Sequence, residues 1–242
     1  MTAFGRAIAA TAILAWHAPA TAADIASIRP LGFSANGDTF AFEQFGIQDG
    51  SGFPYADIFV IDTIKDKYLP GTPIRVRLDD ETRSLAEARS MAMEKAAPFL
   101  DSSKFAADPG QWVAFNPVSE LSSPAQELRY VPFPTESQYG TRYTLTLETF
   151  TQPAPASCKD RVDEVAGFRL QISEDDKPET ERLVYEDKSI PGSRNCPSGY
   201  RLGGVVTHFP FEGPTLHMVL VMTYSFGFEG QDGRWIAIPV RP

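Results

Sequence analysis

Four acidic residues fall within or at the edge of one short stretch, EQFGIQDGSGFPYADIFVID, which runs from Glu43 to Asp62. Glu43, Asp49, Asp57 and Asp62 are the oxygen donors a hard cation would use, and the glycine-containing middle could add backbone carbonyls. The spacing in DGSGFPYAD is not that of an EF-hand, and aspartate before glycine is also ordinary turn chemistry. Two readings therefore stand: a calcium-stabilised structural loop around Asp49 and Asp57, or a plain connection between strands. Phe53 and Tyr55 lie in the same stretch. Large rings there either fold back over apolar surface or form a shallow recognition surface. Asp49, Phe53, Tyr55 and Asp57 are accordingly the expected ligand or partner surface.

Beyond the first 22 residues the only histidines are His208 and His217. No HExxH pattern or close His/Cys pair is present to hold zinc, and no GxSxG surrounds any serine. An exported hydrolase built on a Ser/His or carboxylate pair would have to assemble one of these histidines with a partner distant in sequence. No catalytic residue, metal ligand or cofactor is assigned. GSG and LGG lack the lysine and hydroxyl of a phosphate loop and the spacing of a dinucleotide fingerprint.

The N-terminus sets the compartment. In MTAFGRAIAATAILAWHAPATAAD, Arg6 is a positive start and Ala7 to Trp16 an apolar run too short to span a bilayer. Ala20-Thr21-Ala22 offers the small residues a signal peptidase needs. Residues 1–22 are expected to be a removed export signal, and residues 23–242 a single β-rich domain in the periplasm or outside the cell. The chain carries a formal charge of -9, one unit more negative without Arg6. That balance and the lack of a long basic patch argue against nucleic acid and anionic membrane as partners. No second hydrophobic span follows the leader. An exported chain meets an oxidising environment, so the only two cysteines, Cys158 and Cys196, are expected to form a disulfide. They are too far apart for a CxxC redox motif.

The elements that must position these residues read mostly as strands. Asn36-Gly37 is a turn pair, and Phe40 and Phe42 alternate with Ala41 and Glu43 on the strand after it. Ile58-Phe59-Val60-Ile61 is apolar on both faces, as an interior strand would be. Ile74 and Val76 alternate with Arg75 and Arg77. Asp79 to Ala97 holds the one convincing helix, placed at about 80–97, with Leu85, Ala88, Ala92, Ala96 and Phe99 at steps of three and four. Asp80 is one candidate N-cap; Ser84 with Glu87 makes a capping box one turn later. Asp101 to Glu136 is a proline-rich crossover with short extended pieces, VAF and LRYVPF. Further strands are expected at Tyr143–Phe150, Gly167–Ser173, Arg182–Tyr185, Leu216–Tyr224 and in WIAIPV. The fold class is mainly β, a β-rich α+β chain of antiparallel sheets with one packed amphipathic helix.

GFSANGDTFAFEQFGIQDGSGFPYADIFVIDTIKDKYLPGTPIRV resembles the start of a family of predicted secreted bacterial proteins of unknown function (DUF2259-like). GFEGQDGRWIAIPV and SRNCPSGY resemble its C-terminal signature. Within this resemblance the N-terminal hairpins are similar to one blade of a WD40-like or TolB-like β-propeller. The family implies secretion and brings no enzyme class or catalytic residues. Without a chemical motif, an aromatic loop on an exported β scaffold points to a non-catalytic binding or envelope-assembly module. Its partner would be an unidentified protein or small molecule of the cell envelope.

Overall fold

A computed structural model describes residues 23–100, 108–133 and 140–242; the expected export signal lies outside them. The described chain is mainly β, with a single α-helix among the described residues. All three sheets are antiparallel. The first contains β1 (Ser27–Phe33), β2 (Thr39–Ile47), β3 (Pro54–Asp62) and β4 (Lys67–Tyr68) in that order, with β5 (Ile74–Arg77) also pairing with β3. Helix α1 (Leu85–Ala96) follows. The second sheet is ordered β13 (Gln231–Val240), β12 (Leu216–Phe226), β11 (Pro197–His208) and β6 (Gln111–Phe115). The third is ordered β10 (Lys177–Glu186), β9 (Glu164–Glu174), β8 (Tyr143–Pro153) and β7 (Glu127–Tyr130).

Side-chain alternation stacks these elements as four layers. Ala41, Ala56, Ile58 and Val60 on one face of the first sheet pack against Ala88, Ala92 and Ala96 of α1. Alanine opposite alanine lets the helix lie close to the sheet. The other face places Phe33, Phe40, Phe42 and Phe59 against Leu216, Met218, Leu220 and Met222 of the second sheet. Val219 and Val221, the alternate residues of β12, face Phe168, Leu170 and Ile172 of the third. The second sheet is thus covered on both sides, which is why LHMVLVMTY is continuously apolar instead of alternating. The expected likeness to a propeller blade finds no support in this layered stack.

The helix starts later than the 80–97 expectation. Ser84 is its N-cap, accepting from the Glu87 N–H at 3.2 Å, while Asp80 instead closes a turn on Thr82. The later of the two expected starts, at Ser84, is therefore the one found, with the Glu87 carboxylate turned to Arg83 instead of closing a capping box. A larger difference is β11, a central strand that the sequence pattern does not announce. Gly199, Gly203 and Gly204 interrupt its alternation. At Gly203 an added Cβ would lie 2.1 Å from the Trp235 ring, and at Gly204 2.7 Å from the Ala114 carbonyl. Here glycine marks close approach of neighbours, not a turn.

The expected disulfide is present. Cys158 and Cys196 are bridged, with Cα atoms 5.6 Å apart. The bridge packs with Ala154 and Val165 in a small apolar cluster of its own. It ties the segment before β11 to the connection between β8 and β9, and that segment carries Arg194 and Asn195 to the site described next.

Candidate functional site

The four acidic residues of the opening stretch do not converge. Alternation on β2 sends Glu43 toward α1, where the Arg89 guanidinium donates to both of its oxygens at 2.8 Å and Arg29 approaches at 3.0 Å. Asp62 lies at the far end of β3 and accepts from the Ile64 and Lys65 amides. Asp49 sits in the connecting loop and accepts from the Gly50 N–H at 2.9 Å. Among the described residues no group of three or more His, Cys, Asp or Glu is placed to hold a metal ion.

The connection itself is short. Because β2 runs to Ile47 and β3 begins at Pro54, only residues 48–53 are loop. Gln48 and Phe53 close it by a backbone bond of 2.9 Å, and Gly50 and Gly52 take positive φ. Phe53 is half-buried, with the Arg77 guanidinium 6.0 Å from its ring centre.

Tyr55 belongs to β3 and is buried. Its hydroxyl donates to Asp24 at 2.8 Å, and Arg234 lies 4.7 Å over its ring while reaching Asp24 at 2.5 Å. Burial pushes the Tyr55 hydroxyl pKa far above its usual value, so this side chain stays a neutral donor. Asp24 belongs to a segment that lies parallel to the start of β13, bridging Ile25 to Gly233.

Asp57, like Tyr55, borders a substantial polar space. It faces the second sheet beside Gln44, its cross-strand partner. The Gln44 amide donates to Asp57 at 3.0 Å, and its oxygen accepts from the Trp235 N–H of β13 at 2.8 Å. A chain of polar bonds therefore crosses between the sheets and ends at the Asp57 carboxyl. Burial holds the pKa of that carboxyl above the usual carboxylate range.

Three adjoining cavities follow the outer edge of β13 from this point. One of about 510 Å³ is lined by Tyr55, Asp57, Arg75, Arg77, Asn195 and Arg234. One of about 320 Å³ shares Asp57, Arg75, Asn195 and Arg234 and adds Gln44 and Thr223. One of about 290 Å³ continues past Tyr68, Ser193 and Arg194 to Ile236 and Ala237. Together they make one open groove. The edge of the first sheet forms one wall and the 192–195 turn the other.

Charge is arranged unevenly within it. Arg234 is paired with Asp24, Arg77 with Asp79, and Arg194 with the buried Asp187. Arg194 is also enclosed by Phe168, Tyr185 and Tyr200. Asp57 and Arg75 are direct cross-strand neighbours, yet neither makes an ion pair among the described residues. Thr223 has a buried hydroxyl without a hydrogen-bond partner. An unpaired cation, an unpaired carboxyl and an idle hydroxyl in one groove are groups available to a ligand.

Both histidines lie outside this groove. The Nδ1 of His208 is 2.8 Å from the Asp108 carboxylate, and its ring stacks on Phe33. Its Nε2 is buried beside Gly37 without a partner. A base held by a carboxylate is half of a triad, but no hydroxyl among the described residues meets the other nitrogen. His217 Nδ1 bonds the Tyr130 hydroxyl at 2.7 Å within a cluster that includes Tyr143. Burial lowers its pKa to about 4.

The family model described as "Predicted secreted protein (DUF2259)" matches residues 41–241. The chain belongs to this family. The match begins two residues into β2 and runs to the penultimate residue, and it includes most groove residues and both cysteines. No curated protein and no solved structure matches the chain.

The sequence singled out Asp57 and Tyr55 but not Asp24, Gln44, Asn195, Thr223 or Arg234. Arg75 was visible as the polar half of an alternating strand. Gln44 carried no local signal, since its role is to satisfy the backbone of a strand nearly two hundred residues away.

Proposed function

We propose that this secreted-family protein is a non-catalytic binding module of the cell envelope, with the groove along β13 as its ligand site. A removed leader at residues 1–22 would deliver it to the periplasm or beyond. The observation that supports the binding reading is the pair Asp57 and Arg75. They are opposite charges in cross-strand register, both on the groove, and neither forms an ion pair among the described residues. Unpaired charged groups that line a groove are groups a ligand can engage.

Equilibrium dialysis of the purified protein against a small-molecule and peptide extract of the cell envelope, read by mass spectrometry, tests this. The same sample gives the N-terminal residue of the exported chain, expected to be Ala23. At least one compound should be retained by the wild type and recovered chemically unchanged. Arg75→Ala should weaken its retention about tenfold, the usual scale for one charge-assisted hydrogen bond. Equal retention by wild type and Arg75→Ala, or conversion of the compound to a product, would overturn the reading.

A further inference from the structure

The floor of the groove is an incompletely paired strand edge. Strand β13 is the outer strand of the second sheet, bonded to β12 on one side only. In an antiparallel pair, alternate residues turn both backbone groups away from the neighbour. On β13 the outward set is identified by its bonds. The Gly233 N–H and carbonyl bond Asp24 and Ala26, and the Trp235 N–H bonds Gln44. Ala237 and Pro239 continue that set. Pro239 fits the assignment, because a proline without an N–H is tolerated where the strand faces away from its partner.

The edge is thus used up to Trp235 and then left unused. Past that point the Ala237 N–H and carbonyl have no backbone or side-chain partner among the described residues, although Ala237 is only 6% exposed and lines the groove. Outward backbone groups on an open strand edge are ready to pair with an added strand. The chain itself shows that this edge accepts an added segment, since residues 24–26 already lie along its first residues.

Resting on the groove as the ligand site, we propose that its ligand is an extended peptide that adds as a short strand to β13 at Ala237. Main-chain bonds to Ala237 would give affinity, as in other strand additions. Arg75, Asp57 and Thr223 stand further along the same groove, where side chains of the added strand would reach. Five cations, Lys67, Arg75, Arg77, Arg194 and Arg234, line the walls against three carboxyls, Asp57, Asp66 and Asp79. Arg77, Arg194 and Arg234 are already paired with Asp79, Asp187 and Asp24, so recognition falls mainly to the backbone, with Arg75 free to meet a carboxylate of the peptide.

The test uses full-length exported protein and peptides selected from a displayed random heptapeptide library. Selected peptides should slow hydrogen exchange at the Ala237 amide at least tenfold. N-methylation of the pairing peptide residue should weaken binding about tenfold, the cost of one main-chain bond. Ala237→Pro, which removes the outward N–H, should do the same. If that variant fails to fold, the exchange and N-methylation measurements on wild type still decide. The proposal fails if the library yields no binder, or if bound peptides leave the Ala237 amide unprotected and tolerate N-methylation. Failure of this kind leaves the groove reading standing when Arg75→Ala still weakens retention of an envelope compound. Equal retention by Arg75→Ala would remove both.

Discussion

At the scale of single residues, two buried ionisable groups have separate consequences. Glu43 is fully buried and held by Arg89 and Arg29, which joins α1 to the first sheet. Removing one partner of a buried pair leaves the other uncompensated. Because both arginines retain some exposure, the cost falls below that of a fully buried pair. Glu43→Gln should destabilise by about 2 kcal/mol in urea unfolding, and Arg29→Ala by less than about 1 kcal/mol. Equal losses would show that Arg29 matters as much as the helix contact. His217 acts through pH. Its folded pKa of about 4 lies below the unfolded value of about 6.5. Between these values the unfolded chain binds a proton that the folded chain refuses. Stability should therefore be unaffected by this group above about pH 6.5 and fall as pH drops toward 4, by up to roughly 3 kcal/mol. His217→Gln should flatten that limb, and an unchanged acid limb would assign it to other groups.

At the scale of elements, the disulfide links the second and third sheets through the segment that walls the groove. The cysteines are 38 residues apart, and closing a loop of that length restricts the unfolded chain by about 4 kcal/mol in the entropic account. Replacing both with serine should lower stability toward that amount, measured by urea unfolding. It should also loosen the 192–195 turn, seen as faster amide exchange at Arg194 and Asn195. Lower stability with unchanged exchange there would separate the bridge from the groove. Reduction should add two mass units to the wild type and expose two thiols to alkylation, with no alkylation before reduction.

At the scale of the whole molecule, the second sheet is shared by two cores. Residues of β12 alternate between them, so neither outer sheet can keep its core if the middle one unfolds. A chain built this way should melt in one transition. Tryptophan fluorescence, dominated within the described fold by Trp112 and buried Trp235, should coincide with far-UV circular dichroism during urea unfolding. Two separated transitions would mean that one outer sheet is independently stable.

Much of this architecture was legible in the residues themselves. Two-residue alternation placed Glu43 and Phe42 on opposite faces and Arg75 opposite Val76. Three- and four-residue spacing found the alanine stripe of α1. The leader-like start and the two cysteines together implied the bridge that the structure contains. These signals are local: each depends on neighbours within a few residues. What the sequence did not show depends on contacts between distant segments. Strand β11 was hidden because its glycines answer to Trp235 and Ala114 and not to a turn. The groove was hidden because Gln44, Asn195, Thr223 and Arg234 come from four separate parts of the chain, and none is unusual in its own surroundings. Which edge of β13 stays open was decided only when residues 24–26 stopped pairing at Gly233, since a strand's unused hydrogen bonds are defined by what its neighbours leave uncovered.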